Sequence, residues 1–364
     1  MTRSSAPKRR LKAPRRSVSD GRGPRAGGRE FLPARMDTAP SPPHQTGIVE
    51  GLASGYVALI GCPNVGKSSL LNHILQEKVS IVSAAPQTTR AKIIGIRHLS
   101  AAADRPAAQI IFLDTPGLHR PLGHRLNQRM VQTAKSALQE ADLVLFVVDA
   151  TRKPPLPGPL SGSHRRDGEE AIIELLSSVQ RPVFLLLNKI DLINKGRLLP
   201  LIDAYRHRHS FALFLPVSAK SGDGIEPLLE AIVKQLPDRV AYYPRTQSSD
   251  QPILFRVAEL IREKVLHHTR QEVPHAVAVV VEEFTEPMAD RPHAATRIRA
   301  RVIVERESQK AILIGKGGGM LKMIGTEARP ELEALVGRSV FLALWVTVQD
   351  EWRQDEQFLA EAGY

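Results

Sequence analysis

The stretch GCPNVGKS at residues 61–68 constrains the fold of this chain more than any other, because it contains the pattern GxxxxGK[ST]. The short apolar run YVALI precedes it, and the helix-like run SLLNHILQEK follows it. Strand, glycine loop and helix in this order predict a phosphate-binding loop, since the loop N–H groups and the helix N-terminus present unpaired donors to an anion. The sequence therefore predicts an α/β nucleotide-binding domain with a mostly parallel sheet.

Three more short motifs each follow a strand-like apolar run. DTPG at 114–117 follows IIFL, NKID at 188–191 follows VFLLL, and SAK at 218–220 follows LFLPV. The Asp191 carboxylate can accept hydrogen bonds from N1–H and the exocyclic amine of guanine, whereas adenine offers no matching donor pair. The four motifs together favour GTP and GDP over adenine nucleotides.

The motifs assign a role to each candidate residue. Lys67 is expected to reach the β- and γ-phosphates, and Ser68 and Thr89, the latter in QTTR at 87–90, to bind Mg²⁺. Asp114 is expected to support the ion from one ligand shell further out. Nucleotide contacts are predicted for Gly61, Asn64, Val65, Gly66, Lys67, Ser68, Ser69, Asp114, Thr115, Pro116, Gly117, Asn188, Lys189, Asp191, Ser218, Ala219 and Lys220.

Leu118 stands where Ras-like enzymes carry a glutamine that orients the attacking water. The sequence is similar here to GTPases with a hydrophobic residue at this place, several of which hold a potassium ion with an asparagine at the position of Asn64. That resemblance implies slow intrinsic turnover, with K⁺ as a possible further cofactor. The predicted catalytic residues are Lys67, Thr89, Gly117 and Asn64.

The basic character of the chain is concentrated at its beginning. Residues 1–36 contain eleven Lys and Arg against two acidic residues, which leaves only +3 of the total net charge of +12 for the rest. Residues 1–50 are poor in large apolar residues and are predicted to be a disordered basic extension. Three interpretations stay open for it: an RNA-associated arm, an organelle transit peptide, or translation wrongly started upstream of Met36.

Other segments mark the organisation of the chain. The run RKPPLPGPLSGSHRRDG at 152–168 is predicted to be a surface insertion without assigned function. A linker is expected at 241–251, between a GTP-binding domain at 51–240 and a second domain at 252–364. The single cysteine, Cys62, cannot form an internal disulfide and favours a reducing compartment. The sequence contains no run of about 18 apolar residues, so no membrane span is predicted.

The pattern after residue 252 predicts helix, strand, strand, helix, helix, strand. The glycine loop GKGG at 315–318 lies between the last two helices. A GxxG loop in this place is typical of a type II KH domain, an α+β fold in which the loop clamps a nucleic-acid backbone. RNA contacts are predicted for Ile314, Gly315, Lys316, Gly317, Gly318 and Lys322.

A phosphate-loop GTPase followed by a KH domain resembles the Era GTPases. The matching stretches are GCPNVGKSSL, QTTR, DTPGLH, NKID, SAK, VERESQKAILIGKGG and LKMIG, although GKGG places its lysine one position earlier than in some relatives. The resemblance implies a GTPase that binds the 3′ end of small-subunit rRNA, assists small ribosomal subunit assembly, and is cytoplasmic with a peripheral inner-membrane fraction. A monomer is expected. The alternative is a membrane-associated regulatory GTPase whose KH domain binds another RNA.

Overall fold

The computed structural model describes residues 51–102, 105–118, 123–153, 166–237, 240–287 and 294–364. The predicted basic extension and residues 154–165 of the predicted insertion lie outside these ranges.

The first half of the described chain builds a six-stranded sheet in the order β2-β3-β1-β4-β5-β6. All neighbouring strands run parallel except β2 and β3, which are antiparallel. The strands are β1 (Leu52–Ile60), β2 (Ile93–Leu99), β3 (Ala107–Asp114), β4 (Leu143–Asp149), β5 (Val183–Asn188) and β6 (Leu213–Pro216). Between and after them lie α1 (Lys67–Leu75), α2 (Arg125–Glu140), α3 (Arg166–Leu176), α4 (Leu198–Arg206) and α5 (Ile225–Gln235).

The central strands of this sheet are apolar throughout. Every residue of β4 (LVLFVVD) and β5 (VFLLLN) is buried. A parallel strand covered on both faces requires such a continuous apolar run, whereas a half-exposed strand alternates. Because the first polar residues come only at the carboxyl ends of these strands, the polar chemistry gathers at one edge of the sheet.

The second half of the chain builds a three-stranded sheet in the order β7-β8-β9. Strand β7 (Ala278–Thr285) is antiparallel to β8 (Thr296–Val304), and β8 is parallel to β9 (Val340–Val348). The helices are α6 (Ile253–His268), α7 (Val273–Ala276), α8 (Glu307–Ile314), α9 (Gly319–Val336) and α10 (Glu356–Glu361). Apart from the short helices α7 and α10, this is the predicted order, and the predicted fold class is confirmed.

A separate apolar cluster joins the two halves of the chain. Leu126 and Met130 of α2 pack with Ala278 and Val280 of β7 and with Trp352, Phe358 and Leu359 near the C-terminus. Trp352 is fully buried and donates from Nε1 to the main-chain oxygen of Ala276 at 2.9 Å. No helix within the described ranges is long and apolar enough to span a bilayer.

Candidate GTP and RNA sites

The glycine loop between β1 and α1 has the backbone that phosphate binding requires. Gly66 has φ +97°, a left-handed conformation that side chains rarely adopt, and a Cβ there would lie 2.3 Å from Nδ2 of Asn188. That Nδ2 donates to the main-chain oxygen of Val65 at 2.8 Å. The second glycine of the motif is therefore required both by backbone conformation and by contact with the predicted guanine-binding motif.

The loop also packs closely against the carboxyl end of β3. A Cβ at Gly117 would lie 2.7 Å from the backbone nitrogen of Pro63, so only glycine brings DTPG this close. Leu118 donates its backbone N–H to the oxygen of Gly61 at 3.2 Å, while its side chain is buried. The Leu118 side chain therefore belongs to the core and cannot orient a water by hydrogen bonding.

Lys67 is buried at the start of α1. Its Nζ donates to the main-chain oxygens of Gly61 at 3.0 Å and Cys62 at 3.1 Å. Burial lowers the pKa of the Lys67 ammonium, and the negative charge of Asp114 acts in the opposite direction. A phosphate would compensate the same buried charge more strongly than two carbonyl dipoles do.

Oxygen atoms from three segments meet beside Lys67. Ser68 Oγ donates to Oδ2 of Asp114 at 2.7 Å and lies 2.9 Å from Oγ1 of Thr89. Oδ2 also accepts from Oγ of Ser80 at 3.0 Å, whereas Oδ1 is buried without a hydrogen-bond partner in the described part of the chain. Burial raises the pKa of Asp114, against the opposing effects of Lys67 and both serines. A set of hard oxygen donors with one unsatisfied carboxylate oxygen fits Mg²⁺.

The predicted guanine-binding motifs meet one another at the ends of β5 and β6. Asp191 accepts at Oδ1 from Oγ of Ser218 at 2.7 Å. Asn188 accepts at Oδ1 from the N–H of Ala219 at 3.0 Å, so this one amide joins the phosphate loop to the SAK loop. The Lys220 N–H donates to Oγ of Ser218 at 3.3 Å.

Lys189 connects this end of the site to the phosphate loop. It has φ +67°, and its Nζ donates to the oxygen of Asn64 and to Oδ2 of Asp149, both at 2.8 Å. Burial would raise the pKa of Asp149, but hydrogen bonds from Lys189 and Thr151 outweigh it, so the pKa lies below its ordinary value.

A cavity of about 450 Å³ opens between the phosphate loop and the segment that contains Thr89. Its lining is Pro63, Asn64, Gly66, Lys67, Ser68, Ser69, Ile81, Val82, Ser83, Ala84, Gln87, Thr88, Thr89, Gly117 and Lys189. The structure thus places predicted phosphate, metal and catalytic residues around one cavity. Asp191, which is exposed, and Ser218, which is buried, do not line it.

Two residues of this site were not predicted from the sequence. Ser80 is buried and donates to Asp114, and Asp149 holds Lys189. The sequence could have indicated Asp149, since it is a carboxylate at the carboxyl end of a buried strand. No sequence pattern indicated Ser80, because a serine after a helix is common in any loop.

The GxxG loop lies where the sequence predicted it, between α8 and α9. Gly315, Gly317 and Gly318 have φ of +68°, +59° and +79°, and added Cβ atoms at Gly317 and Gly318 would meet nothing within 4 Å. Lys316 and Lys322 are exposed, and Ile314 is half-buried. Gly318 is the N-cap of α9, so an open backbone, two cations and a helix N-terminus coincide, as phosphate binding by this loop requires.

The segment between α1 and β2 lines the GTP cavity and also contacts the KH half of the chain. Arg262 of α6, fully buried, donates from Nη2 to the main-chain oxygen of Thr88, and Oε1 of Glu263 accepts the N–H of Val82 at 2.8 Å. The Ile81 side chain belongs to the core of the KH half of the chain. The segment with the predicted metal ligand Thr89 is therefore packed against α6.

These features define a class of protein: a phosphate-loop GTP-binding domain joined to a KH domain. Comparison with known families agrees, since residues 56–189 match a family described as "50S ribosome-binding GTPase" and residues 272–353 match one described as "KH domain".

Curated relatives cover nearly the whole described chain. A protein named GTPase Era from Geobacter metallireducens is 47% identical over 311 residues, 85% of this chain and 97% of the relative. The GTPase Era of Heliobacterium modesticaldum is 43% identical over 316 residues, 87% of this chain and 98% of the relative. The chain belongs to the Era family of GTPases.

Two solved structures are similar as well. A crystal structure of Era with MgGDPNP and nucleotides 1506–1542 of 16S ribosomal RNA has a TM-score of 0.78 and 39% identity, and covers 86% of this chain and 99% of its own. A crystal structure of a single-residue variant of Aquifex aeolicus Era bound to GDP·AlF4⁻ has a TM-score of 0.78 and 40% identity over the same shares.

Proposed function

We propose that this chain is a GTP-hydrolysing switch that binds the 3′ end of small-subunit rRNA through its KH domain and assists maturation of the small ribosomal subunit. The observation that carries the proposal is the position of segment 81–90. One side of it lines the nucleotide cavity, and the other is held by α6 of the KH half. A change at the γ-phosphate therefore has a direct physical route to the RNA-binding domain.

We infer small-subunit rRNA as the bound RNA from a related protein of known structure. The similar structure contains nucleotides 1506–1542 of 16S ribosomal RNA, whereas the matching GTPase family is named for the 50S subunit. We favour the small subunit, because the relative in that complex shares both domains with this chain, while the family description covers residues 56–189 alone.

For hydrolysis, the residues divide into those that hold phosphate and those that hold metal. Lys67 and the loop N–H groups bind and orient the phosphates, and Gly117 brings its N–H to the γ-phosphate side of the site. Ser68 and Thr89 would hold Mg²⁺, with Asp114 supporting it through Ser68, and the ion supplies positive charge to the phosphates when bound. Since Leu118 cannot orient the attacking water, that task falls to polar groups of segment 81–90 and of DTPG, and intrinsic turnover should be slow.

Potassium is proposed as a second cation, with Asn64 as a ligand. Nδ2 of Asn64 donates to the oxygen of Ala84 at 2.8 Å, which ties the phosphate loop to segment 81–90. Its Oδ1 is then the atom that can meet a cation near the phosphates, where a positive charge would stabilise the transition state.

We propose a GTPase domain at 51–240, a linker at 241–251 and a KH domain at 252–364. We also propose that the protein acts as a monomer, in the cytoplasm, with a fraction attached peripherally to the inner membrane.

The test is GTP hydrolysis with an RNA of the 3′ end of small-subunit rRNA and with a scrambled RNA of the same length, each in potassium and in sodium buffer. We expect the 3′-end RNA to stimulate hydrolysis and the scrambled RNA not to. We also expect hydrolysis to be faster in potassium than in sodium buffer. Equal rates with the two RNAs, despite measurable turnover, would reject the rRNA proposal. Equal rates in the two buffers would reject the role of Asn64 only.

A further inference from the structure

The β7-β8-β9 sheet has one face that α6, α8 and α9 do not cover. The helix side is formed on β9 by Val340, Leu342, Leu344 and Val346, which pack with apolar residues of α9. Because side chains alternate along a strand, Phe341, Ala343 and Trp345 lie on the opposite face. Their register partners on β8 are Arg297, Arg299 and Arg301.

Part of this opposite face is covered and part is open. Around Ala278, Val280 and Ile303 it is closed by the C-terminal segment and α2. At the start of β9, in contrast, the Phe341 side chain is 59% exposed. The Arg299 guanidinium carbon lies 5.2 Å from the ring centroid of the half-buried Trp345, within the range of a cation–π contact.

The charges on this face are paired unequally. Next to the covered end, Arg301 lies 2.9 Å from Glu282 and 3.5 Å from Glu361, and Arg299 lies 3.4 Å from Glu283. Near the open end, Arg297 on β8 and Arg338 in the turn just before β9 are exposed. Neither forms an ion pair with any residue that the structure describes. The uncompensated positive charge therefore lies at the same end as the exposed phenylalanine.

We propose that Phe341, Trp345, Arg297 and Arg338 form a second RNA-binding surface, which stacks bases of single-stranded RNA and binds its phosphates. This proposal rests on the proposed RNA function of the GxxG loop and extends it to the opposite face of the sheet. Aromatic rings beside unpaired arginines are what single-stranded nucleic acid requires, since every base has a stacking face and every nucleotide a negative charge.

The position of β9 connects the two surfaces. It is one of the two edge strands of its sheet. A Cβ on Gly325 of α9 would lie 3.6 Å from Cδ1 of Leu344 on the helix side of β9. The helices that flank the GxxG loop therefore pack on one side of β9, and Phe341 lies on the other side of the same strand. A single strand of RNA held at Gly315–Gly318 reaches the second surface by passing over the β9 edge.

A protein partner or a second copy fits these observations less well. The exposed apolar area here is one phenylalanine and part of a tryptophan, whereas a stable protein interface needs an extended complementary patch. The flanking unpaired arginines favour a negatively charged ligand.

The test uses the full chain and a nested set of 3′-end RNAs, shortened one nucleotide at a time from each end, with affinity measured by fluorescence anisotropy. For RNAs long enough to pass the β9 edge, we expect Phe341→Ala to weaken binding about 5- to 150-fold, since stacking of one base contributes that much. For RNAs that fill only the GxxG loop, we expect no change. Leu199→Ala, which truncates a more exposed apolar side chain elsewhere, is the matched control.

Tryptophan fluorescence gives a second readout. Of the two tryptophans, Trp352 is fully buried, so RNA that stacks on the surface should quench the emission of Trp345. Quenching should disappear in Trp345→Phe. It should occur with RNAs long enough to pass the β9 edge and not with RNAs that fill only the GxxG loop.

Three results would overturn the proposal. They are equal affinity of Phe341→Ala and the wild type for the longest RNA, no quenching of Trp345 by that RNA, and a self-association in sedimentation that Phe341→Ala abolishes. Failure of the underlying RNA function looks different, because the wild type would then bind none of the RNAs.

Discussion

Arg90 donates a hydrogen bond from Nη1 to the main-chain oxygen of Val277 at 2.6 Å, and so joins the segment next to the nucleotide cavity to the beginning of β7. Its Nη2 donates to the oxygens of Pro274 at 3.1 Å and His275 at 3.3 Å. Burial and the neighbouring Arg262 charge lower the pKa of Arg90 to about 10, so the guanidinium still carries its charge at neutral pH.

Aromatic rings complete this contact. The Arg90 guanidinium carbon lies 5.3 Å from the ring centroid of Tyr364 and 5.6 Å from that of Trp352. Since Thr89, the predicted metal ligand, is the preceding residue, any movement of Thr89 must move Arg90 within this buried site or break its hydrogen bonds.

Arg90→Lys should therefore uncouple the two domains. Lysine keeps the charge, but its single nitrogen cannot reproduce the planar fork by which Nη1 and Nη2 of Arg90 reach three separate carbonyls. A lost partner in a buried site costs about 1 to 3 kcal/mol of folding stability. We expect intrinsic GTP hydrolysis to stay nearly unchanged, because the substitution removes no phosphate or metal contact, and stimulation by 3′-end RNA to fall. Hydrolysis with and without RNA, together with urea unfolding, measures both effects, and Arg206→Lys on the exposed face of α4 is the control.

Asp191→Asn should change the base that the site accepts. An amide donor in place of one carboxylate oxygen repels the guanine N–H groups and pairs with the C2 carbonyl of xanthine, while the oxygen that accepts from Ser218 can be kept. We expect GTP affinity to fall on the order of 100-fold or more, because the unpaired polar groups would be left in the site. Binding of labelled GDP and XDP measures the change in base selectivity. A variant that still prefers GDP, as the wild type does, would contradict the role of Asp191 in guanine binding. Asp223→Asn is the control.

Gly318→Asp should block RNA at the GxxG loop without affecting GTP. A side chain there meets nothing within 4 Å, but the φ of +79° is left-handed and strains any residue other than glycine, aspartate less than most. The negative charge of the aspartate repels a phosphate. The chain offers a matched control in Gly337→Asp, which has φ +75° and open space like Gly318, but lies at the other end of α9. RNA binding weakened equally by both variants would mean that the effect is one of stability or net charge rather than of the loop.

The GTP site was predictable because its chemistry is local. Each motif lies directly after an apolar run, so strand, turn and ligand are read from fewer than a dozen neighbouring residues, about the length of one strand and its turn. The GxxG loop was predictable for the same reason, once the order of elements around it was recognised.

The contact between the domains was not predictable in this way. Arg90 meets Val277, Trp352 and Tyr364, which are remote in sequence, and an arginine after two threonines carries no sign of burial. The alternation in β9 predicts a strand with two faces, but not that one face is left partly open. Long-range packing decides such features, and a single sequence does not encode it in any short pattern.

Glu169→Gln should change how stability depends on pH. Glu169 of α3 is buried and accepts a hydrogen bond from the Tyr205 hydroxyl at 2.9 Å. Burial raises the pKa of its carboxyl above the ordinary value of 4.5, although Tyr205 and nearby arginines act in the opposite direction. The folded protein therefore holds this proton more tightly than the unfolded chain does.

This difference in proton affinity sets the direction in which the free energy of unfolding changes with pH. Below pH 4.5 the group is protonated in both states and contributes nothing to the pH dependence. As the pH rises from there to the raised folded-state pKa, the unfolded chain ionises first, so the wild type loses up to about 1.4 kcal/mol of stability per pH unit through this group. Glutamine can accept the Tyr205 hydrogen bond but does not titrate, so Glu169→Gln should gain stability relative to the wild type across this range. Urea unfolding from pH 4 upward tests it, with the exposed Glu174→Gln on the same helix as control. Parallel curves for Glu169→Gln and the wild type would show that folding does not raise the pKa of the Glu169 carboxyl.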